Sequence, residues 1–150
     1  MIEGVKIQEM KRIPDDRGMI MHIMKSSDKD YEKFGEVYCS TVYPGIVKGW
    51  HIHKIMNLNY VVLKGMIKFA LHDSRENSPT FGQTHTIYMG ENNFVRVTVP
   101  PGVWNGFKGI GGKEALVINL TDIEHDPQEI LRMDPHDNDV IKYDWSDKDR

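Results

Sequence analysis

Apolar and polar residues alternate over short runs along most of the chain, and glycine and proline separate these runs. A period of two is typical of β-strands with one buried face, whereas helices repeat about every 3.6 residues. The pattern predicts strands at residues 4–7, 18–24, 36–42, 47–53, 59–63, 66–72, 83–89, 94–99, 103–108 and 115–120. Short strands at close spacing, joined by turns such as YPG, PPG and GIGG, indicate an all-β barrel or sandwich.

Two segments lack this alternation and are predicted as short helices or turns. Residues 27–33 follow a serine that can cap a helix, and residues 127–132 begin with proline. The tail, residues 133–150, is rich in Asp, His and Lys, which is typical of a solvated chain end. The predicted fold is therefore all-β, with a short helical or irregular C-terminal segment.

Composition narrows the function classes. The chain has 150 residues, about the usual size of one domain, so we expect a single domain over residues 1–150. Its net charge of −3 argues against a nucleic-acid or anionic-membrane partner. Cys39 is the only cysteine, so no internal disulfide is possible and the reducing cytoplasm is the expected location. We expect neither a signal peptide nor a membrane span, because no sufficiently long apolar run occurs.

His51 and His53 are the first candidates for chemistry. Residues i and i+2 of a strand point to the same face, so the two imidazoles should project together. The stretch GIVKGWHIH resembles the first motif of the cupin superfamily, but Asn57 and Leu58 occupy the places of its glutamate ligand, and Asn105 replaces the last histidine ligand of the second motif. Two histidines and an amide are too few donors for a transition metal, so we expect no metal and no cofactor. Purely structural histidines are the alternative.

Further elements, in order along the chain, match one family. DDRG at 15–18 is similar to D-x-R-G, Ser40 with GIVKGWH to S-x-x-x-x-G-V-x-R-G-L-H, and DSRENSPTFG at 73–82 to D-x-R-x-x-S-P-T-F-G. VPPGVWNGF resembles V-P-x-G-x-x-H-G-F, and DNDVIKYDWSDKD resembles D-P-x-x-x-I-x-W followed by S-x-K-D. These are elements of the dTDP-4-dehydrorhamnose 3,5-epimerase family. Within the decapeptide, Asp73 and Arg75 are expected to form an internal ion pair rather than to catalyse.

The resemblance implies a metal-free, cupin-type (jelly-roll) β-barrel that epimerises a nucleotide-linked 4-keto-6-deoxy hexose. In this family a histidine removes the proton alpha to the ketone, and an aspartate orients its ring. These roles fall on His51 and Asp149.

The resemblance also implies the substrate-binding residues. Arg17 and Lys48 would contact the diphosphate of the nucleotide-sugar substrate, with lysine replacing the family's second arginine. Ser40, Asn105 and His22 occupy further substrate-binding positions of the family, His22 near the nucleobase. The family forms homodimers that exchange N-terminal strands, so Arg17 would complete the partner's site. Ordinary exposed charges are the alternative for Arg17 and Lys48.

Two proton-donating positions of the family have changed. The lysine that stabilises the enolate aligns near Leu58, and the tyrosine that acts as the opposite-face acid aligns near Ile118. Neither residue can donate a proton. Tyr60 is a candidate replacement, because strand alternation counted from His51 and His53 places its side chain on the same face. Tyr38 is another candidate. For both tyrosines, packing in the core is the alternative.

A second enzyme family matches the histidine motif itself. GWHIHK resembles the R-G-x-H-A-H-K element of the 3,4-ketoisomerases of dTDP-4-keto-6-deoxyglucose, in which two histidines move the ketone to the neighbouring carbon. His53 and Lys54 fit that pattern, whereas the SPTFG element and the SDKD ending do not. A binding protein of this fold without catalysis is the third hypothesis.

Overall fold

The computed structural model describes residues 1–147, which form twelve strands and no helix. The strands are β1 (Lys6–Glu9), β2 (Arg12–Asp15), β3 (Gly18–Met21), β4 (Glu36–Val42), β5 (Val47–His53), β6 (Leu58–Lys64), β7 (Met66–Asp73), β8 (Thr84–Gly90), β9 (Val95–Val99), β10 (Val103–Ile110), β11 (Ala115–Thr121) and β12 (Ile130–Arg132). No helix in this part of the chain is long and apolar enough to cross a membrane.

Two five-stranded antiparallel sheets face each other. One has the order β1-β9-β6-β11-β4 and the other β12-β5-β10-β7-β8, while β2 and β3 form a separate hairpin. Their inner faces enclose a core of aliphatic and aromatic side chains that includes Val62, Phe69 and Val97. Burial of these side chains is the main force that holds the sheets together. The all-β, cupin-type prediction is confirmed.

The alternation of apolar and polar residues located most strands well. Strands β4 and β5 have the predicted bounds, and the other predicted strands overlap their observed counterparts. The helical version of the prediction for residues 27–33 and 127–132 is wrong, since both segments contain turns and the second ends in β12. The sequence also missed β2, which contains a proline and is largely exposed. Residues 133–147 are irregular, as expected, but the expectation of a solvated chain end is wrong, because Ile141 and Trp145 are buried against the sheet.

A bulge distorts the pairing of β5 with β10. Asn105 lies opposite His51 and Phe107 lies opposite Lys48, so three steps along β5 match two steps along β10. The extra residue allows Lys48 and His51 to face the same side, which strict alternation would forbid. Gly49 lies within the bulge, where a Cβ atom would come 2.7 Å from Cα of Gly106 on the neighbouring strand. Only glycine fits this close approach.

The outer face of the same sheet binds the C-terminal segment. Trp50 and Trp145 are buried against each other, with Tyr143 packed edge-on beside them. Lys108 donates to the backbone oxygen of Trp145 and to the carboxylate of Asp147, each at 3.0 Å. These contacts fix the course of the chain as far as residue 147.

The SPTFG element forms a compact polar cluster at the end of β7. The Asp73 side chain is fully buried and accepts hydrogen bonds from Arg75, Ser78 and Thr80. Burial alone would raise the pKa of Asp73, but the hydrogen bonds from these three residues outweigh it and lower the pKa. Arg75 also donates to the backbone oxygen of Glu3. The expected internal ion pair is present, and it joins this turn to the N-terminus.

Candidate active site

A cavity of about 400 Å³ opens between the two sheets, and a second one of about 140 Å³ adjoins it. The first is lined by Glu36, Tyr38, His51, His53, Met56, Tyr60, His125, Ile130 and Arg132. The second is lined by Tyr38, Ser40, Lys48, His51, Tyr60, Phe107, Val117 and Asn119. His51 lies where the two meet, because it lines both. Of the sequence-predicted site residues, the fold brings six to these walls, namely His51, His53, Tyr60, Tyr38, Ser40 and Lys48.

His51 lies in an environment that favours its neutral form. Burial first, and then the nearby charges of Arg132, His53 and Lys48, together lower its pKa from 6.5 to about 4. Strand β12 pairs with β5 so that Arg132 lies directly opposite His51. No side chain in residues 1–147 hydrogen-bonds the His51 ring. At neutral pH the imidazole is therefore an uncharged proton acceptor that faces the cavity.

His53, unlike His51, contacts a negatively charged side chain. Its Nδ1 lies 2.5 Å from Oε2 of Glu129, and both side chains are buried. The other oxygen of Glu129 accepts the backbone N–H groups of Ile55 and Met56, at 2.8 and 2.9 Å. Burial raises the pKa of Glu129, but the hydrogen bonds from Ile55, His53 and Met56 outweigh it and lower the pKa. The carboxylate is thus ionised and holds the His53 ring in one orientation.

Tyr60 is buried and lines both cavities together with His51. Its hydroxyl donates to Oδ1 of Asn105 at 3.3 Å, and Nδ2 of Asn105 donates to the backbone oxygen of His51 at 3.2 Å. Burial, and secondarily the Tyr38 hydroxyl, raise the pKa of Tyr60 well above 10. Tyr38 in turn accepts a hydrogen bond from Asn119. Asn105 therefore lies behind the cavity wall and fixes both β5 and the Tyr60 hydroxyl.

A positively charged side chain lines the smaller cavity. Lys48 reaches across to β4, where its Nζ donates to the Ser40 hydroxyl at 2.9 Å. Both side chains line this cavity beside His51. The ammonium group and the hydroxyl together offer donors to an anionic group next to the imidazole.

Three of the predicted site residues that the structure describes, Arg17, His22 and Asn105, do not line these walls within one chain. Arg17 lies in the turn of the β2–β3 hairpin, where it is exposed and pairs with Asp15. His22 follows β3 and is also exposed. Neither lines either cavity. Asp149 lies outside the described residues.

Sequence reasoning missed several residues that the fold brings to the site. Glu129 and Arg132 are more than 75 residues away from the histidine motif and reach it through the pairing of β12 with β5. Glu36, Met56, His125 and Asn119 were also missed. No local pattern identifies these residues, because the contacts that place them are long-range.

The family's two missing proton donors have no direct substitutes at the same positions. Leu58 is part of the hydrophobic core. Ile118 lies between Val117 and Asn119, which line the smaller cavity, so strand alternation directs its side chain away. In residues 1–147, no group of three or more His, Cys, Asp or Glu side chains is arranged to hold a metal ion.

Comparison with known proteins shows where this architecture belongs. The family model of dTDP-4-dehydrorhamnose 3,5-epimerase matches residues 1–150. The spore coat polysaccharide biosynthesis protein SpsL of Bacillus subtilis (strain 168) is 31% identical over 147 residues, covering 97% of both chains. The probable low-salt glycan biosynthesis epimerase Agl13 of Haloferax volcanii is 36% identical over 151 residues, covering 97% of this chain and 95% of that one.

A solved structure supports the same family assignment. The crystal structure of a dTDP sugar isomerase from Desulfovibrio desulfuricans G20 superposes with a TM-score of 0.94 at 36% identity, over 99% of this chain and 94% of the other. The similarity thus extends over the sheets, the cavity and the C-terminal segment alike. The chain belongs to the dTDP-4-dehydrorhamnose 3,5-epimerase family and is an epimerase, an isomerase-class enzyme.

Proposed function

We propose that this epimerase uses His51 as the base that removes a proton alpha to the ketone of a nucleotide-linked 4-keto-6-deoxy hexose. The observation that carries the proposal is the neutral imidazole of His51, with its pKa lowered to about 4, at the junction of two cavities. A base must be unprotonated before the reaction, and His51 meets this requirement throughout the neutral pH range.

The chemistry requires few groups. The ketone acidifies the neighbouring C–H bond, so an imidazole can take the proton while the electron pair of that bond forms an enolate. Return of a proton to the other face inverts the carbon. The cations beside His51 suit this sequence of steps, because Lys48 and Arg132 favour the negative charge that develops on the substrate.

The same cations suit the diphosphate of a nucleotide sugar such as a dTDP sugar. Lys48 shares the smaller cavity with the Ser40 hydroxyl, and Arg132 lines the larger one, so a phosphate group can find donors on both sides of His51. Asn105 acts indirectly, through its hydrogen bonds to Tyr60 and to the backbone of His51. Asp149 is proposed as the carboxylate that orients the His51 ring, on the strength of the family's S-x-K-D element.

The test is isotope exchange with dTDP-4-dehydrorhamnose in D2O. The wild-type protein should incorporate deuterium next to the ketone, and His51→Asn should reduce both incorporation and inversion by about 10²–10⁴-fold, the usual contribution of a general base. His72→Asn is the matched control, because His72 is bonded to Thr84 on the outer face and does not line the cavity. Undiminished exchange in a folded His51→Asn protein would refute the proposal.

Ketone migration is the second candidate function. It is favoured by one observation, that His53 lines the same cavity as His51 and could receive or deliver a proton at the neighbouring carbon. The two functions differ in their products. Inversion leaves the ketone at C4, whereas migration moves it to C3, and a 13C NMR spectrum of the product distinguishes them.

We also propose that the protein is a cytoplasmic homodimer in which Arg17 and His22 contribute to the partner's cavity. This accounts for their exposed positions on and beside a hairpin that lies apart from both sheets. Mixing Arg17→Ala and His51→Asn proteins tests the proposal. If sites are shared, the mixed dimer has one intact site, and random mixing should restore about a quarter of wild-type activity. If each chain forms its own complete site, mixing restores nothing.

A further inference from the structure

The buried pair of His53 and Glu129 is the most unusual feature of the cavity wall. His53 is 6% exposed and Glu129 5% exposed, so both groups have lost most of their contact with water. Placing a carboxylate there is costly unless it is hydrogen-bonded and paired. Glu129 meets that condition with two backbone N–H groups on one oxygen and His53 on the other.

The orientation of the His53 ring determines which nitrogen is available. Nδ1 is bound to Glu129, which leaves Nε2 as the nitrogen that a molecule in the cavity can contact. A carboxylate bonded to one nitrogen stabilises the imidazolium form and holds the ring in place. His53 is therefore arranged to donate a proton from Nε2.

The spacing of the two histidines fits a ring between them. Residues i and i+2 of a strand have Cα atoms about 6.7 Å apart and side chains on one face. A flat enolate ring needs about 3.5 Å from each neighbouring group, close to the distance of a near-attack contact. A sugar ring that enters between His51 and His53 would therefore present one face to each imidazole.

We propose that His53, positioned by Glu129, is the catalytic acid that protonates the face of the enolate opposite His51. This inference rests on the proposed function and assigns the proton donor that Leu58 and Ile118 cannot provide. His51 takes the proton from the carbon, and the electrons of the C–H bond form the enolate. The enolate carbon then takes the proton from Nε2 of His53, which becomes neutral, and both rings return to their starting states by proton exchange with water.

Other groups around the cavity bear on the protonation of His53. The titratable and charged groups that line the same cavity are His51, Arg132, Glu36, Tyr38, Tyr60 and His125. Tyr60 and Tyr38 are the competing acids. The Tyr60 hydroxyl is already donated to Asn105 and its pKa is raised well above 10, and the Tyr38 hydroxyl is hydrogen-bonded to Asn119. Of the carboxylates among the described residues, Glu129 is the one that contacts His53 directly.

The decisive experiment separates proton removal from inversion. In D2O with dTDP-4-dehydrorhamnose, His53→Gln should still incorporate deuterium next to the ketone within several-fold of the wild-type rate, because His51 removes and returns the proton on one face. Inverted product should fall by about 10²–10⁴-fold. Wild-type inversion in this variant, loss of exchange together with inversion, or a product with its ketone at C3 would each overturn the inference. His51→Asn tests the proposed function separately, because it abolishes exchange itself.

Glu129 is a positioning residue, and its test is the same comparison of exchange with inversion. Glu129→Gln weakens the contact that holds the His53 ring, so most of the inversion should be lost while deuterium incorporation stays within several-fold of the wild-type rate, and Glu129→Asp should restore part of the inversion. Equal losses of exchange and inversion in Glu129→Gln, or no loss of inversion, would contradict the role. If His53→Gln does not fold, the double variant His53→Gln/Glu129→Gln removes both charges and gives the same exchange-against-inversion comparison.

Discussion

The polar cluster around Asp73 and the polar groups around His51 differ in how completely they are satisfied. Asp73 is surrounded by donors from Arg75, Ser78 and Thr80, all within its own turn. The His51 ring makes no hydrogen bond with residues 1–147 and faces a cavity. The Asp73 cluster forms its hydrogen bonds within the protein, whereas the His51 ring remains available to hydrogen-bond a ligand.

This difference shows why motif strength and function need not coincide. The SPTFG decapeptide gives the most specific match to the family, yet its carboxylate closes a turn and binds the N-terminus. The histidine region matches the family less closely and lines the cavity. A saturated ion pair tends to fix architecture, whereas an unsaturated polar group in a cavity is available for chemistry.

The largest expected effect is on stability, from Asp73→Asn. The substitution removes the charge that pairs with Arg75 and reduces the acceptors for Ser78 and Thr80, so the free energy of unfolding should fall by about 3 kcal/mol. Thermal unfolding should show a decrease in Tm of about 6–12 °C. Activity per folded molecule should be retained at low temperature.

Asp139→Asn is the matched control, because Asp139 pairs with Lys142 at the exposed surface. Exposed pairs contribute about 0–1 kcal/mol, so Tm should hardly change. Equal effects of the two substitutions would mean that the Asp73 cluster has no special structural role.

A smaller effect is expected from Lys48→Ala on the cavity side. If Lys48 binds the diphosphate, its loss should raise KM about tenfold, or about 1.4 kcal/mol, with little change in kcat. Lys48→Arg keeps the charge and should retain a KM near the wild-type value. Steady-state kinetics would contradict the role of Lys48 if the alanine variant had an unchanged KM.

The smallest effect concerns the pH dependence. Because the pKa of His51 is lowered to about 4, kcat/KM should show no loss attributable to His51 as the pH falls from 7 to 5. Arg132→Gln removes a nearby positive charge, which makes protonation easier and raises the pKa of His51. The acid limb should then move to higher pH, by less than about one unit. Lys113→Gln, in the wall of another cavity, should leave the limb in place.

The sequence predicted those parts of the fold and site that depend on local periodicity. Alternation placed β4 and β5 at their observed bounds and indicated that His51 and His53 share a face, as they do. It also placed Tyr60 towards the same cavity. Each of these predictions needs only the geometry of a strand.

The remaining features depend on contacts between distant residues. Strand β12 exists because three residues pair with β5, and that pairing brings Arg132 and Glu129 to the histidines. A three-residue strand has too few positions for a period to be recognised. The hydrogen bond from His53 to Glu129 likewise joins residues 76 apart in sequence. Such neighbours follow from tertiary pairing rather than from any local pattern.

The extra residue in β5 has a consequence for length variation within this enzyme class. Removing one residue from a regular strand turns every side chain on one side of the deletion to the opposite face of the sheet. Deletion of Gly49 is an exception, because two steps would then separate Lys48 from His51 and match the two steps from Phe107 to Asn105. A shortened strand would keep its cation beside the imidazole, so homologues can differ by one residue here and still present the same chemistry.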